Sequence, residues 1–435
     1  MKTKLLFNLL FFTTLTISAQ FWTEQYTDFS TVSRGINNIS IVDANIAWAS
    51  AYDGTATAGA VRDFTRTTDG GTTWTSGSIN PSANLRVASI SAVSADLAWS
   101  VLYKSSGNGV MGVYNTSNGG TTWTRQTTAN FNLSGSFPNV VHFWDANNGF
   151  CQGDPVGGYY ELYTTTNGGT TWTRVPQANI PAPIAGEYGY VGQIFTSGNR
   201  LWWTTNKGRI FRSDDKGLTF TVYQSPITDF GGTAASGEIS FWNANDGFLV
   251  NNAGATWKTT DGAETWTPFF PNTGIVFNGS IACIPGTTKI VSTAVDQSNS
   301  GSSYSLDGGA NWTIIDTVQH IAVSFLDENI GYSGGFNAAT EGGIFKYTGT
   351  ELTAAVNDNT LNTFKAFPNP VENIITIEAN DTITNAEIFN VLGQSVFKTD
   401  SNQNTLNADM SNFTSGTYIL KVTINNSVQT MKLVK

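Results

Sequence analysis

Short apolar runs alternate with polar turns along most of the chain, and one arrangement recurs seven times. Each copy has an apolar run, a polar turn and a second short apolar run, as in ISIVDANIAWAS at 39–50. Runs of this length, bounded by turn residues, predict β-strands and not helices. We call these segments inner hairpins. They occupy 39–50, 90–101, 141–152, 193–204, 239–250, 281–292 and 323–334.

A second pattern, which we call the box, lies between successive inner hairpins and occurs six times. It reads hydroxyl, any residue, Asp or Asn, then a glycine-rich pair and an aromatic residue, as in TTDGGTTW at 67–74. The acid or amide is Asp69, Asn118, Asn167, Asp215, Asp261 or Asp307, so the spacings are 49, 49, 48, 46 and 46 residues. A period near 47 residues predicts an array of four-stranded units, as in a β-propeller.

Seven inner hairpins stand against six boxes, and the chain ends suggest why. One more strand, 342–349, follows the last inner hairpin, and the segment 21–29 resembles the strand that follows each box. We therefore predict an all-β protein whose residues 21–349 form a seven-bladed propeller, in which the N-terminal strand completes the last blade. Closure of this kind leaves no open sheet edge.

The box has a structural interpretation. Its glycines allow positive φ in a tight turn, and its Asp or Asn accepts hydrogen bonds from backbone N–H groups. Burial of the following aromatic ring between blades contributes on the order of 4 kcal/mol at most. These rings are Trp74, Trp123, Trp172, Phe220, Trp266 and Trp312. Because two of six copies carry an amide, an acid–base or metal-binding role for this position is disfavoured.

The six strings resemble Asp-box (BNR) repeats. Such repeats occur in sialidases, sortilin-type receptors, xyloglucan hydrolases and photosystem assembly factors of the Ycf48 type. The resemblance covers about 21–349 and implies the fold, but its boxes are structural, so it implies no catalytic role. The three gathered arginines of sialidases have no counterpart, since the last arginine is Arg212 and no Arg-Ile-Pro string occurs.

Composition and charge narrow the function. The formal charge is −10, without a Lys/Arg cluster, which argues against nucleic acid and anionic membrane surfaces. The N-terminus, MKTKLLFNLLFFTTLTISAQ, has two lysines, an apolar run and small residues at 17–19, so residues 1–20 are predicted to be a secretory signal peptide. No transmembrane segment is expected. Cys151 and Cys283 fall in different blades and should remain unpaired.

The C-terminal segment has a different composition from the repeats and is expected to form a separate domain, since all thirteen tryptophans lie between Trp22 and Trp312. Residues 350–363 read as a linker, and several short strands in 364–435 predict a small Ig-like β-sandwich. The order of its motifs resembles the type A sorting domain of the type IX secretion system of Bacteroidota. The motif residues are Pro368, Asn369, Pro370, Gly393 and Gly416. The resemblance implies that the type IX machinery is a partner and that the protein is secreted or attached to the outer surface.

Function is expected on the propeller face opposite the boxes, which carries the longest loops. Binding candidates there are Asp53, Arg62, Tyr159, Tyr160, Tyr188 and Tyr190, with Asp229 and Glu238 nearby. Asp154 and Glu187 are weak catalytic candidates, since paired carboxylates beside tyrosines suit a glycosidase. His142 and His320 should be packed in strands, and at least one ring of Trp202 and Trp203 should be core.

Two functions remain open from sequence. The first is an exported, monomeric binding or adhesion module for a glycan or an extracellular protein. The second is a secreted glycoside hydrolase. No cofactor or metal site is expected, because zinc clusters, calcium loops and phosphate-binding loops have no sequence signature here.

Overall fold

The computed structural model describes residues 20–55, 59–80, 84–104, 109–232, 236–296, 298–349, 351–352, 364–424 and 427–435. The proposed signal peptide, apart from Gln20, and most of the proposed linker lie outside these residues. The chain divides into two compact units, residues 1–353 and 354–435. Each unit is described by itself.

The described part of the first unit is built of β-strands and one short 3-10 helix, Gln177–Asn179. Its strands are β1 (Trp22–Tyr26), β2 (Arg34–Ile41), β3 (Ala47–Asp53), β4 (Asp63–Thr67), β5 (Thr75–Ser78), β6 (Leu85–Ala92), β7 (Ala98–Lys104), β8 (Gly112–Thr116), β9 (Thr124–Arg125), β10 (Pro138–Phe143), β11 (Gly149–Val156), β12 (Tyr159–Thr165), β13 (Thr173–Arg174) and β14 (Gly189–Ser197). They continue with β15 (Arg200–Thr205), β16 (Arg209–Ser213), β17 (Thr221–Gln224), β18 (Gly237–Phe241), β19 (Gly247–Asn251), β20 (Thr256–Thr259), β21 (Thr267–Phe269), β22 (Ser280–Cys283), β23 (Ile290–Ala294), β24 (Gly301–Ser305), β25 (Thr313–Asp316), β26 (Val323–Phe325), β27 (Gly331–Ala338) and β28 (Glu341–Tyr347).

The strands form antiparallel sheets in sequence order. Five sheets have four strands each: β6–β9, β10–β13, β14–β17, β18–β21 and β22–β25. An eight-stranded sheet joins β2–β5 to β26, β27, β28 and β1. One residue pair, Gly35 with Phe336, connects the two halves of that sheet.

The N-terminal strand pairs with the last strand of the unit, as the sequence predicted. Strand β1 runs antiparallel to β28, with Trp22 opposite Tyr347 and Tyr26 opposite Gly343. Phe21 and Trp22 are buried in a cluster with Phe345 and Tyr347. Because β1 covers the edge of β28, the first and last described strands of this unit are held together by hydrogen bonds and by apolar burial.

The first strands of the sheets surround a common axis, as in a β-propeller. We call β2, β6, β10, β14, β18, β22 and β26 the inner strands. Each contacts the next, and β26 contacts β2, so the set closes on itself. Aromatic stacking joins neighbouring sheets, since the rings of Trp99 and Phe143 lie 3.5 Å apart and those of Trp202 and Phe241 lie 3.9 Å apart.

The box turns require left-handed backbone. Gly70 and Gly71 have φ of 69° and 83°, and the same pair of conformations recurs in the other boxes. Lys216 at 59° and Ala263 at 75° hold this conformation without glycine. The turn places the following aromatic ring in the core. Trp172 is 4% exposed and donates from Nε1 to Gln126 Oε1, in the link after the preceding sheet, at 2.8 Å.

The cysteines, the Trp202–Trp203 pair and His320 are buried in the first unit, as the sequence predicted. Cys151 and Cys283 are buried free thiols in β11 and β22. The rings of Trp202 and Trp203 are both buried, in two separate clusters. His320 is buried between Ser333 and Asp316.

The second unit is one sheet of five strands around its own core. Its strands are β29 (Phe364–Phe367), β30 (Ile374–Asn390), β31 (Ser395–Asp409), β32 (Thr417–Ile424) and β33 (Ser427–Val434). The long β30 pairs with β29 through its first half and with β32 through its second half. Asn369 fixes the start of the unit to its end, donating to the Lys432 carbonyl and accepting from the Val434 N–H, both at 2.9 Å.

Candidate functional site

The box turns and the inner-hairpin turns share one face of the first unit. In every box, a backbone N–H of the turn donates to a carbonyl in the inner-hairpin turn of the same sheet, as Gly70 does to Asn45 at 2.9 Å. We call this side the box face. The connections between second and third strands, and the links between sheets, lie at the opposite strand ends and form the loop face.

The box acid or amide is held inside its own turn. Asp69 accepts from the Thr73 N–H at 2.9 Å and from the Thr73 hydroxyl at 2.7 Å. These bonds hold the pKa of Asp69 at about 2. Asn118 accepts the corresponding N–H, from Thr122, at 3.0 Å. Its amide then donates to the Thr122 hydroxyl at 2.9 Å. Either side chain therefore completes the turn.

On the loop face, Tyr188 and Tyr190 form a fixed aromatic pair. Tyr188 is 43% exposed, and the two ring centroids lie 5.6 Å apart. The Tyr188 N–H donates to Asn206 Oδ1 at 2.8 Å, and the Tyr190 hydroxyl donates to the Asp229 carboxylate. Glycine at 231 leaves room for the Tyr190 ring. An exposed ring is thus presented on a backbone that is tied down on both sides.

Asp154 lies beside this pair. Its Oδ1 accepts from Asn139 Nδ2 at 2.7 Å and from the Gly189 N–H at 3.0 Å, which joins β11 to the start of β14. Burial raises the pKa of Asp154 to about 6, and the two hydrogen bonds offset part of that rise. Asp154 is only partly buried, so this carboxyl retains some access to water.

Glu187, the proposed partner of Asp154, has a different position from the one expected. Its side chain is fully buried and accepts from Arg209 Nη1 at 2.8 Å, from the Thr205 hydroxyl at 2.8 Å and from the Ile184 N–H at 3.0 Å. The expectation of a solvent-facing carboxylate is therefore wrong. Glu187 instead ties the long loop before β14 to β15 and β16.

The neighbouring tyrosines of β12 separate in the same way. Tyr159 is partly exposed and lies under the Arg174 guanidinium, 4.1 Å from the ring centroid. Tyr160 is fully buried against Trp203 and Phe211, so its predicted place on an exposed face is wrong. Alternation along a strand directs successive side chains to opposite sides, and here only one side faces solvent.

Asp53 and Arg62 lie near a small loop-face cavity. This cavity has a volume of about 220 Å³ and is lined by Asp53, Tyr52, Arg86, Tyr103 and Val191, among others. Asp53 accepts from the N–H groups of Thr55 at 2.9 Å and Gly59 at 2.7 Å, and such bonds lower its pKa to about 2. Arg62 is half-buried, and its neighbour Val61 lines the cavity.

A channel runs between the inner strands. Two cavities of about 470 and 830 Å³ share five lining residues, and together they touch all seven inner strands. Glu238 lines the first cavity, and burial raises its pKa to about 8. His142 lines the second, and burial lowers its pKa to about 4.

Sequence reasoning treated Glu238 only as a neighbour of the loop candidates. Alignment of the seven repeats would have singled it out. Glu238 immediately precedes the inner hairpin at 239–250. At the same position the other six repeats carry Asn38, Ser89, Val140, Gly192, Ser280 and Ala322. Glu238 is therefore the one charged residue at this position among the seven repeats, and this difference could have identified it from the sequence.

Comparison with known proteins identifies the C-terminal segment. Residues 365–435 match the family model described as the secretion system C-terminal sorting domain. The segment is therefore a sorting domain of the type IX secretion system. The protein is exported by that system and is either released or attached to the outer surface.

Similarity to whole proteins is more limited. The chain is 32% identical over 133 residues to the ulvan lyase NLR42 of Nonlabens ulvanivorans, which is 28% of this chain and 25% of that protein. The chain thus spans a quarter of the length of the lyase that it matches.

Two solved structures, YCF48 bound to D1 peptide and YCF48 from Cyanidioschyzon merolae, are similar to 76% of this chain. They are covered over 98% and 99% of their lengths, with 13% and 15% identity and TM-scores of 0.53 and 0.54. Together with the sheet arrangement, this similarity shows that the first unit is a β-propeller.

Two features are absent from the described residues. None of the helices there has the length and apolar character needed to cross a membrane. Nor do three or more His, Cys, Asp or Glu side chains gather there as a possible metal site.

Proposed function

We propose that this exported β-propeller is a binding module that takes a carbohydrate on its loop face, with Tyr188 at the centre of the site. The observation that carries the proposal is the exposed Tyr188 ring, which packs against Tyr190 and whose backbone N–H donates to Asn206 Oδ1. A rigid tyrosine gives a sugar ring a large apolar contact at small entropic cost and offers a hydroxyl at its rim. Asp154 accepts from the Gly189 N–H and Asp229 accepts from the Tyr190 hydroxyl, and we assign both carboxylates the role of accepting sugar hydroxyls.

We also propose that the first unit has seven blades. The two halves of the eight-stranded sheet count as separate blades, because one residue pair joins them, whereas the ring of inner strands has seven members. The propeller then has seven blades over residues 21–349. In the second unit, over 364–435, the single sheet would form a small Ig-like sandwich if the two halves of the long β30, which pair with different strands, belong to its two layers. In this arrangement the boxes are structural and leave the loop face free for a ligand.

The charge of the chain directs the choice of ligand. At −10, the protein repels polyanions at low ionic strength, so neutral or amino-bearing glycans are favoured over acidic ones. Ulvan belongs in the test set because a partial relative is named for cleaving it. A protein ligand is the alternative occupant of the same face.

The glycoside hydrolase alternative has less support. Of the two carboxylates offered for it, Glu187 is buried in an ion pair with Arg209. Asp154 has the raised pKa expected of a general acid. Glycoside hydrolysis also requires a second reacting carboxylate within about 10 Å, and the buried, ion-paired Glu187 is not free to take that role. Turnover of chromogenic glycosides that disappears in Asp154→Asn would favour the enzyme.

A glycan array with the full chain tests the proposal. Wild type should bind at least one class of neutral or amino-bearing glycan, and Tyr188→Ala should weaken binding by about tenfold through loss of the ring contact. Leu218→Ala is the matched control, because Leu218 is 54% exposed in a box of the same sheet, on the box face. Failure to bind any glycan, or equal binding by wild type and Tyr188→Ala, would overturn the proposal.

A further inference from the structure

The channel between the inner strands carries one carboxyl group that the propeller fold does not use. Glu238 is the second residue of β18 and stands opposite Val250 of β19. It lines the cavity of about 470 Å³ together with Asn38, Gln193, Ser240 and Ser280. The side chain is partly exposed, so the cavity gives it contact with water.

Nothing in the described part of the chain compensates this carboxyl. Lys and Arg are absent from the described residues that line the two cavities, and none of the described side chains donates a hydrogen bond to Glu238. Burial is the one cause of its raised pKa. A carboxylate that is largely removed from water and has no cation or hydrogen-bond donor beside it is costly, and a cationic ligand would lower that cost.

We propose that this channel binds a small organic cation whose primary ammonium pairs with Glu238. An ammonium group has three N–H donors and no acceptor, so it needs a ring of oxygen atoms. The hydroxyls of Ser240 and Ser280 each accept one backbone N–H, from Cys283 at 2.9 Å and from Val323 at 3.2 Å, and each oxygen retains a further acceptor site. The cavity therefore offers one charge and several neutral oxygens.

A metal ion fits this site less well. Calcium takes six to eight oxygen ligands and usually several carboxylates, whereas a single carboxylate is present here. The volume also exceeds that of an ion and suits a linear diamine or one amino sugar. This site is separate from Tyr188 on the loop face, so its test does not depend on the proposed carbohydrate site.

Ligand binding should depend on pH through Glu238. The titratable groups on the strands packed against β18 are Tyr190 of β14 and Cys283 of β22, and burial raises the pKa of both, so neither is charged near neutral pH. Asp229 precedes β18 and accepts from Tyr190. Glu238 is mostly protonated below its pKa, whereas an ammonium group pairs with the ionised carboxylate. Binding must therefore remove the proton from Glu238 at low pH. Affinity for 1,4-diaminobutane, whose ammonium groups stay charged throughout this range, should therefore rise with pH from 6 and level off above about pH 8.

Isothermal titration calorimetry of the full chain tests the proposal. The probes are 1,4-diaminobutane and glucosamine, with 1,4-butanediol and glucose as neutral counterparts. Wild type should bind at least one amine and neither counterpart. Glu238→Gln should weaken amine binding by about tenfold or more. Glu341→Gln, an exposed carboxylate outside the channel, should leave binding unchanged.

The comparison of probes also identifies the source of the ammonium. Tighter binding of diaminobutane indicates a linear amine, and tighter binding of glucosamine indicates an amino sugar. Binding of the neutral counterparts with equal affinity, failure to bind either amine, or unchanged affinity in Glu238→Gln would overturn the proposal.

A second measurement keeps the test valid if Glu238→Gln does not fold. Binding of diaminobutane to wild type at pH 7 should release close to one proton, seen as a dependence of the heat on the ionisation enthalpy of the buffer. Binding without proton release would contradict the pairing with Glu238.

Discussion

At the scale of single residues, the exchange of Asp and Asn in the boxes has a simple chemical basis. The oxygen of either side chain accepts the same backbone N–H, and the hydroxyl of Thr73 or Thr122 rotates to donate to a carboxylate or accept from an amide. Sequence comparison of the six boxes was enough to predict an acceptor here, because the two side chains share that property and differ in charge.

The first prediction follows from this exchange. Asp69→Asn should leave the melting temperature nearly unchanged, because Asn118 and Asn167 already make the same backbone bond. Asp69→Ala should lower it, since the Thr73 N–H then loses its acceptor. Thermal unfolding of both variants checks this, and a large loss in Asp69→Asn would mean that the charge itself is required.

Glu238 supplies the second prediction. Its folded pKa is raised from 4.5 to about 8, so the folded state holds this proton more tightly than the unfolded state does. Stability from this group is greatest at low pH and is lost as pH rises from about 4.5 to 8. Glu238→Gln should therefore gain melting temperature over wild type, with a larger gain at pH 9 than at pH 5. A difference that does not change with pH would contradict the burial of this carboxyl.

At the scale of strands and turns, the repeat made most elements predictable. Inner hairpins, boxes and the pairing of β1 with β28 all follow from a period near 47 residues that repeats the same contacts. The long loops do not repeat, and their conformation depends on partners distant in sequence. Glu187 is buried because Arg209, 22 residues later, reaches it, and no local pattern contains that information.

The third prediction concerns the ring that follows the third box. Trp172 is 4% exposed, packs edge-on against Phe143 at 5.6 Å and bonds to Gln126. Trp172→Ala should lower the free energy of unfolding by about 3–5 kcal/mol, because it leaves a cavity between sheets. Chemical denaturation measures the loss. Thr171→Ala is the neighbouring control at an exposed position and should cost far less.

At the scale of the whole molecule, the N-terminal strand joins the two ends of the first unit by pairing with β28. Tyr160 and Glu187 show the limit of sequence reasoning at this scale, since their positions in long loops predict an accessible face, whereas packing buries both. Tyr188 lies in one of these loops and is 43% exposed, and its role in binding stays a prediction.

The fourth prediction tests the closure. Deletion of residues 20–26 should expose the edge of β28 and remove Phe21 and Trp22 from their apolar cluster. The melting temperature should fall, and limited proteolysis should cut first near 341–347. A truncated protein with unchanged stability would show that β1 does not hold the ring closed.

The most direct test of the central claim locates the ligand on the protein. Hydrogen–deuterium exchange of the full chain, with and without the tightest-binding glycan from the array, should show protection at 186–190 and around Asp229. Tyr188→Ala should abolish that protection. The box turns should exchange at the same rate with and without the glycan. Protection confined to the box face or to the channel, with none at 186–190, would contradict a carbohydrate site on the loop face.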